Sequence, residues 1–273
     1  MLRVGTRGSA LALAQARWVA SRLDAASVVE IATSGDRGVA GGDKSRWVDA
    51  IDAALVAGEI DLAVHSAKDV PGELAPGCAI VATPPRASAR DLLIGEGARI
   101  GTSSLRRRAQ LLAAWPDREV VDLRGNVDTR LRKLDAGEVG ALVLAAAGLE
   151  RLGVDRRARV LEGDVFVPAP GQGTLAVEAR AGDDRVRAAL APLNDAAAFA
   201  ALDEERTAVR MLGASCHTPV GVHAAGGAVR GFVGLPDGSA WLIDEAGDGE
   251  ALARRMLAAG AAELLSQAEA LAT

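Results

Sequence analysis

Short apolar runs that stop at abrupt clusters of polar residues recur along much of the chain. Residues 60–64, mostly apolar and β-branched at both ends, predict a buried strand of a parallel or mixed sheet. His65, Ser66, Lys68 and Asp69 follow without a turn glycine. That places them just past the strand's carboxyl end, where open α/β sheets bind ligands. A polar surface loop is the competing reading. Residues 2–5 predict another strand, and residues 10–23 a helix with Leu11, Leu13, Ala14, Trp18 and Leu23 broadly on one side and Ser9 as N-cap. Between them, the turn Thr6-Arg7-Gly8 offers free amides and the positive end of a helix dipole to an anion.

The same pattern returns later. Arg99-Ile100-Gly101-Thr102-Ser103-Ser104 precedes a predicted helix over 105–115, and both helices carry Ala-Gln, at Ala14-Gln15 and Ala109-Gln110. A predicted helix over 47–57 ends in Ala57-Gly58-Glu59 before the strand at 60–64, and one over 127–135 ends in Ala136-Gly137-Glu138 before a strand over 141–145. Two echoes in the same order predict two α/β domains of similar construction, each with glycine in a helix-ending turn. Breaker clusters at Pro84-Pro85-Arg86-Ala87-Ser88 and Pro168-Ala169-Pro170-Gly171-Gln172-Gly173 flank the second unit. Residues 174–179 alternate as a strand that can return to the first domain, and two crossings make a hinge. A helix over 195–211, strands near 219–224, 228–234 and 239–244, and a closing helix over 250–268 predict a small C-terminal α+β domain. The expected domains are 1–86 with 174–193, 87–173, and 194–273.

Composition narrows the function. With 273 residues and 49% apolar content the chain can fill several cores. The first residues lack the apolar stretch of an export signal, and the longest near-apolar run, 140–149, is too short to span a bilayer. A soluble, cytoplasmic, monomeric protein without membrane contact is expected. Two cysteines and three histidines give neither a disulfide framework nor metal-ligand spacing, so no metal is expected. The net charge is −5, yet Arg106, Arg107 and Arg108 are contiguous and Arg124, Arg130 and Arg132 follow. Local arginine in an acidic chain fits a focused anion site better than a nucleic-acid surface. Stacking platforms are also scarce, with 3% aromatic residues and no tyrosine.

Thr102, Ser103 and Ser104 at a helix start, backed by Arg106 and Arg107, form a carboxylate or phosphate cradle. Leu123-Arg124-Gly125-Asn126 ends another predicted strand, and Arg130 lies one turn into the next helix, so a second arginine pair can face the same crevice. Arg108 and Arg132 read as solvated charges. For Arg7, Arg106, Arg107, Arg124 and Arg130 the strand-edge placement favours a ligand. Cys216, among Ser215, His217 and Thr218, is either an exposed nucleophile or an incidental loop cysteine. Cys78 has no polar partner and reads as incidental.

Six segments together carry a family resemblance. Val4-Gly5-Thr6-Arg7-Gly8-Ser9, His65-Ser66-Ala67-Lys68-Asp69-Val70-Pro71, Gly101-Thr102-Ser103-Ser104-Leu105-Arg106-Arg107, Leu123-Arg124-Gly125-Asn126-Val127-Asp128-Thr129-Arg130, Pro170-Gly171-Gln172-Gly173 and Cys216-His217-Thr218-Pro219-Val220-Gly221 resemble porphobilinogen deaminase, also called hydroxymethylbilane synthase, in order along nearly the whole chain. The resemblance implies two hinged α/β domains like those of periplasmic solute-binding proteins plus a small α+β domain. It also implies a dipyrromethane cofactor attached through a thioether to Cys216. The substrate it implies is porphobilinogen, a small molecule, four copies of which are joined head to tail with release of ammonia in tetrapyrrole (haem) biosynthesis. Asp69 matches the family's catalytic carboxylate, which holds pyrrole N–H groups and stabilises the cationic azafulvene. Arg7, Arg106, Arg107, Arg124, Arg130 and Arg151 match its carboxylate-binding arginines, with Ser9, Lys68, Thr102, Ser103, Ser104 and Gly125 as neighbouring contacts.

Two departures from the family pattern stand out. The stretch 33–47 is shorter than the family's lid region and reads Gly41-Gly42-Asp43-Lys44-Ser45-Arg46-Trp47 at its end, and Ala214-Ser215 replaces the usual Gly-Gly before the cysteine. Two other classes share some of these features. A solute-binding module would keep the α/β pair and the arginines but need no Cys216, and a cysteine-dependent hydrolase would use Cys216 with a histidine base.

Overall fold

The computed structural model describes residues 1–33, 48–214 and 218–272. In chain order the first elements are β1 (Leu2–Thr6), α1 (Ala10–Ala20), β2 (Ala26–Glu30), α2 (Asp49–Val56), β3 (Leu62–Ser66), a 3-10 turn (Ala67–Asp69) and β4 (Cys78–Ala82). Next come β5 (Asp91–Gly95), β6 (Arg99–Gly101), α3 (Leu105–Ala114), β7 (Glu119–Val121), α4 (Val127–Asp135), β8 (Ala141–Ala145), α5 (Ala146–Leu152) and β9 (Ala158–Val160). The chain then runs through β10 (Leu175–Arg180), α6 (Asp184–Leu190) and α7 (Ala196–Met211) to β11 (Val220–Ala225), β12 (Ala228–Gly234), β13 (Trp241–Ala246), α8 (Gly249–Ala258) and α9 (Ala261–Ala272). It divides into two compact units, 1–87 with 173–202 and 88–172 with 203–273.

The first unit is built on a five-stranded sheet of order β2-β1-β3-β10-β4. β1 pairs in parallel with β2 and β3, whereas β10 lies antiparallel between β3 and β4, so the alternating strand near 174–179 does return to this sheet. Apolar residues point to both faces because helices cover both. Leu62, Val64 and Val177 pack with Ala16 and Val19 of α1 and Val186 and Leu190 of α6, while Ile51 and Leu55 of α2 pack with Ile60 and Ala63.

The second unit repeats the scheme with the order β7-β6-β8-β5-β9, in which β6 is parallel to β7 and β8 and β5 is antiparallel to β8. The echoes seen in the sequence coincide with this repetition. Gly5 and Gly101 lie at or next to the ends of equivalent strands, each where a Cβ would collide with a core side chain, Ile60 or Leu123. Gly58 and Gly137 end equivalent helices with φ of +71° and +76°.

A three-stranded antiparallel sheet, β11-β12-β13, completes this unit and packs its own core against α8 and α9. It also leans on α3: Phe232 is buried with Ala109 and Val167, and a Cβ on Gly238 would sit 2.6 Å from the backbone nitrogen of Ala113. The single closing helix expected over 250–268 is instead two helices. Gly260, at φ +97°, turns the chain between them.

Candidate active site

β1 and β3 are adjacent and parallel, so the residues that follow them gather at one edge of the first sheet: Arg7 and Ser9 from one strand, Lys68 and Asp69 from the other. Ser9 caps α1 as expected, accepting from Ala12 N at 3.3 Å. The strand expected to end at residue 64 continues to Ser66, which corrects the placement of His65 and Ser66 from edge to strand. The ladder explains the extension, because Leu175 and Ala176 of β10 pair with Ser66 and His65. On one face Gln15 of α1, buried, donates to Ser66 Oγ at 2.9 Å. Ala67 N then donates to Thr174 O at 3.0 Å. The 3-10 turn follows at once and ends on Asp69, whose carboxylate is exposed.

On the other face His65 points inward. Its Nε2 lies 3.3 Å from Glu178 Oε2, both side chains being almost fully buried, and the charges of both act on Asp52 of α2. Burial, together with the charge of Glu178, pushes the Asp52 carboxyl up to about 6 against a partial offset from His65. The same surroundings push the Cys78 thiol up to about 11, burial being the largest cause, so Cys78 stays protonated near neutrality. Glu178 is also its hydrogen-bond partner, which corrects the expectation that Cys78 has no polar partner: that partner lies a hundred positions away on β10.

In the second unit β6 and β7 end side by side, bringing Thr102, Ser103 and Ser104 to the same edge as Arg124 and Gly125. Ser104 caps α3 by accepting from Arg107 N at 3.4 Å, and Thr102 Oγ1 accepts from Ser104 N at 3.2 Å. Arg124 is 84% exposed and pairs with Asp122 at 2.8 Å. Arg130 donates through Nε to Gly125 O at 2.6 Å and through Nη2 to Ser103 Oγ at 3.3 Å. Gly125 itself sits at φ +124°, a backbone that β-carbon-bearing residues rarely adopt.

Arg106 and Arg107 occupy a different environment. Both are buried, and both converge on Asp91 at the head of β5. Burial lowers the Arg106 pKa, the charge of Asp91 opposing it, yet a guanidinium stays charged in such surroundings. The Arg106 Nε donor has no acceptor. Arg151, in the last turn of α5, also has its pKa lowered by burial, with Glu150 opposing. Cys216 and the shortened stretch 34–47 lie outside the described residues.

Sequence reading missed Gln15, Gln110, Asp91 and Glu205 as structural polar groups. Glu205, fully buried in α7, accepts from Gly171 N at 2.6 Å and Ala224 N at 2.8 Å, tying the Pro170-to-Gly173 turn to β11. A polar residue in an otherwise apolar helix stretch was the available signal for the two glutamines. Among the described residues no group of His, Cys, Asp and Glu could hold a metal ion, and no helix is long and apolar enough to cross a membrane.

Residues 2–188 match the family described as porphobilinogen deaminase, dipyromethane cofactor binding domain. The porphobilinogen deaminase of Roseiflexus castenholzii is 46% identical over 300 residues, covering 97% of this chain and 98% of that protein. That of Deinococcus radiodurans is 44% identical over 301 residues, covering 96% and 97%. Among solved structures, an ABC transporter from Parabacteroides distasonis is 16% identical, covers 77% of this chain and 74% of its own, and gives a TM-score of 0.45. A TRAP periplasmic solute binding protein from Desulfovibrio salexigens is 13% identical, with 71% and 72% covered and a TM-score of 0.42.

Proposed function

The chain belongs to the porphobilinogen deaminase family, and from that membership we propose that it joins four porphobilinogen molecules head to tail, releasing ammonia at each addition and hydroxymethylbilane at the end. It is a transferase of tetrapyrrole biosynthesis. The observation that carries this reading is identity of 46% across 97% of the chain.

The family's dipyrromethane supplies a covalently held pyrrole carbon at which the growing chain is extended. The residues of this chain fit such a group. Its rings carry acetates and propionates, and the second unit offers the exposed guanidinium of Arg124, the half-exposed Arg130, the α3 start and the unaccepted Nε of Arg106. Cys216 would hold it through a thioether. Arg7, Ser9, Lys68, Thr102, Ser103, Ser104, Arg107, Gly125 and Arg151 complete the binding set in this reading.

Asp69 is the catalytic group in this reading. Its exposed carboxylate accepts from the pyrrole N–H and faces the positive charge that develops as ammonia leaves. A carboxylate suits both tasks, because it is acceptor and anion at once. Two clamps at the end of β3, Ser66 to Gln15 and Ala67 N to Thr174 O, hold the turn that carries it. Three domains, 1–86 with 174–193, 87–173 and 194–273, and a cytoplasmic monomer belong to the same reading.

The mass of the purified protein tests it. An adduct of two pyrrole units is expected, absent from Cys216→Ser and retained in Cys78→Ser. An unmodified parent protein, or an intact adduct in Cys216→Ser, would sink the assignment.

A further inference from the structure

Asp91 lies at the first position of β5, sixteen residues before Arg107, where nothing local marks it as part of a site. In the structure it is buried and collects donors from two directions. Its Oδ1 accepts from Arg107 Nε at 3.0 Å, Arg107 Nη2 at 2.7 Å and Gln172 Nε2 at 2.9 Å, and its Oδ2 faces Arg106 Nη2 at 2.9 Å.

Most of the remaining donors are also committed. Arg107 Nη1 donates to Val143 O at 3.1 Å, and Arg106 Nη1 to Gln110 Oε1 at 2.9 Å and Val167 O at 2.8 Å. Among the described residues two guanidiniums thus share one carboxylate, which leaves this cluster an excess positive charge in a buried place. Desolvated charge without a counterion is costly, so the arrangement favours uptake of an anionic group. Of the Arg106 donors, Nε is buried with no acceptor.

We propose that Asp91 is a positioning residue for carboxylate binding: by fixing Nη2 of Arg106 and the fork of Arg107, it leaves the Arg106 Nε edge to a carboxylate of the bound pyrrole chain. Gln172 assists by holding Asp91 to the backbone carbonyl of Ala89, to which it donates at 2.6 Å. The inference rests on the reading that Arg106 and Arg107 bind carboxylates.

Asp91→Asn keeps the shape and removes the charge. Intact mass gives the fraction of purified protein carrying the pyrrole adduct, and steady-state kinetics of the loaded fraction gives KM and kcat separately. The expected result is an adduct fraction well below the parent's and a KM for porphobilinogen raised about tenfold, the scale of one charge-assisted hydrogen bond, with kcat within about twofold. A merely structural Asp91 would lower the yield of folded protein but leave KM of the loaded fraction unchanged. Arg106→Leu is measured beside it. If Arg106→Leu keeps the parental adduct fraction and KM, the arginine reading itself fails. If Arg106→Leu loses them while Asp91→Asn keeps both, the arginine reading stands and the Asp91 role is overturned. Should Asp91→Asn not fold, Gln172→Leu leaves the charges paired and should raise KM in the same direction by about threefold, less than one full hydrogen bond. Parental KM in folded Gln172→Leu would then overturn the proposal.

Discussion

The two five-stranded sheets share strand order and the Ala-Gly-Glu turn that enters the central strand, yet they fill one equivalent place with opposite chemistry. Counted from that turn, Asp52 and His65 of the first unit correspond to Leu131 and Leu144 of the second. Across the ladder, Glu178 beside Ala63 corresponds to Ile94 beside Leu142. In the second unit Ile94, Leu131, Leu142 and Leu144 form one apolar cluster. In the first, Asp52 of α2 adds a second carboxylate whose charge interacts with the His65–Glu178 pair. The scaffold therefore accepts an apolar solution at this place, and folding alone does not demand the polar one. The polar trio includes His65 of β3, the strand that leads into Asp69; its apolar counterpart includes Leu144 of β8, which leads straight into α5.

The edges differ as well: the first sets the exposed carboxylate of Asp69 beside Arg7 and Lys68, whereas the second gathers Arg124, Arg130 and the hydroxyls of the α3 start. Asp69→Asn breaks this contrast most severely. Removing the negative charge should cut turnover at least about a hundredfold, the scale of a central electrostatic group, while the adduct remains by mass. Near-parental turnover would remove Asp69 from the chemistry. Copying the second unit into the first is the next largest change. The triple variant Asp52→Leu, His65→Leu, Glu178→Ile should unfold at higher denaturant, with a gain of about 1–4 kcal/mol, as when a buried ionic cluster is replaced by packed apolar groups. A loss of stability would show that the polar trio is a packing requirement of this sheet after all.

Within the second edge, burial separates the arginines. Arg106 and Arg107 are fixed by Asp91, whereas Arg124 is open to solvent and paired with a neighbouring exposed carboxylate. Arg124→Leu and Arg130→Leu should therefore keep the adduct and stall elongation, with covalent intermediates of a particular length rising about tenfold in mass spectra after brief exposure to porphobilinogen. Arg106→Leu should lose the adduct first. One common ladder for all of these variants, indistinguishable from the parent's, would return the arginines to surface charge.

Much of this was legible in the chain. The two strand-to-helix turns, the Ser9 cap, the Ala-Gly-Glu turns and the returning strand all rest on local rules, and local rules are read from neighbouring residues. What escaped depends on distant partners. Asp91 looks like an ordinary charge at a strand head until Arg106, Arg107 and Gln172 close on it. His65 looked like an edge residue because its partner, Glu178, is 113 positions away and the ladder that buries both is set by β10. The break at Gly260 was hidden for another reason. One glycine inside a helical pattern costs only about 1 kcal/mol, too little to decide a helix end by itself.

The smallest expected effect tests the polar trio by pH. Native Asp52 holds its proton up to about pH 6, whereas in the unfolded chain it ionises near the usual carboxylate value of about 4. Between these values the native state binds more protons, so this group's contribution falls as pH rises through the window and is constant above it. A shift of that size would correspond to about 3 kcal/mol in full burial, but Asp52 is only half-buried and solvent screening reduces it to about 1 kcal/mol. Asp52→Asn removes the titration. It should match the parent near pH 4 and exceed it near pH 7.5 by about 2 °C in Tm, a step of about 1 kcal/mol for a chain of this size. Leu131→Asn at the corresponding place of the second unit is the control, since an unpaired amide in an apolar cluster should cost stability equally at both pH values. A parent-to-variant gap for Asp52→Asn that does not change between the two would mean that Asp52 does not titrate in this window, and the difference between the two sheets would then be one of packing alone.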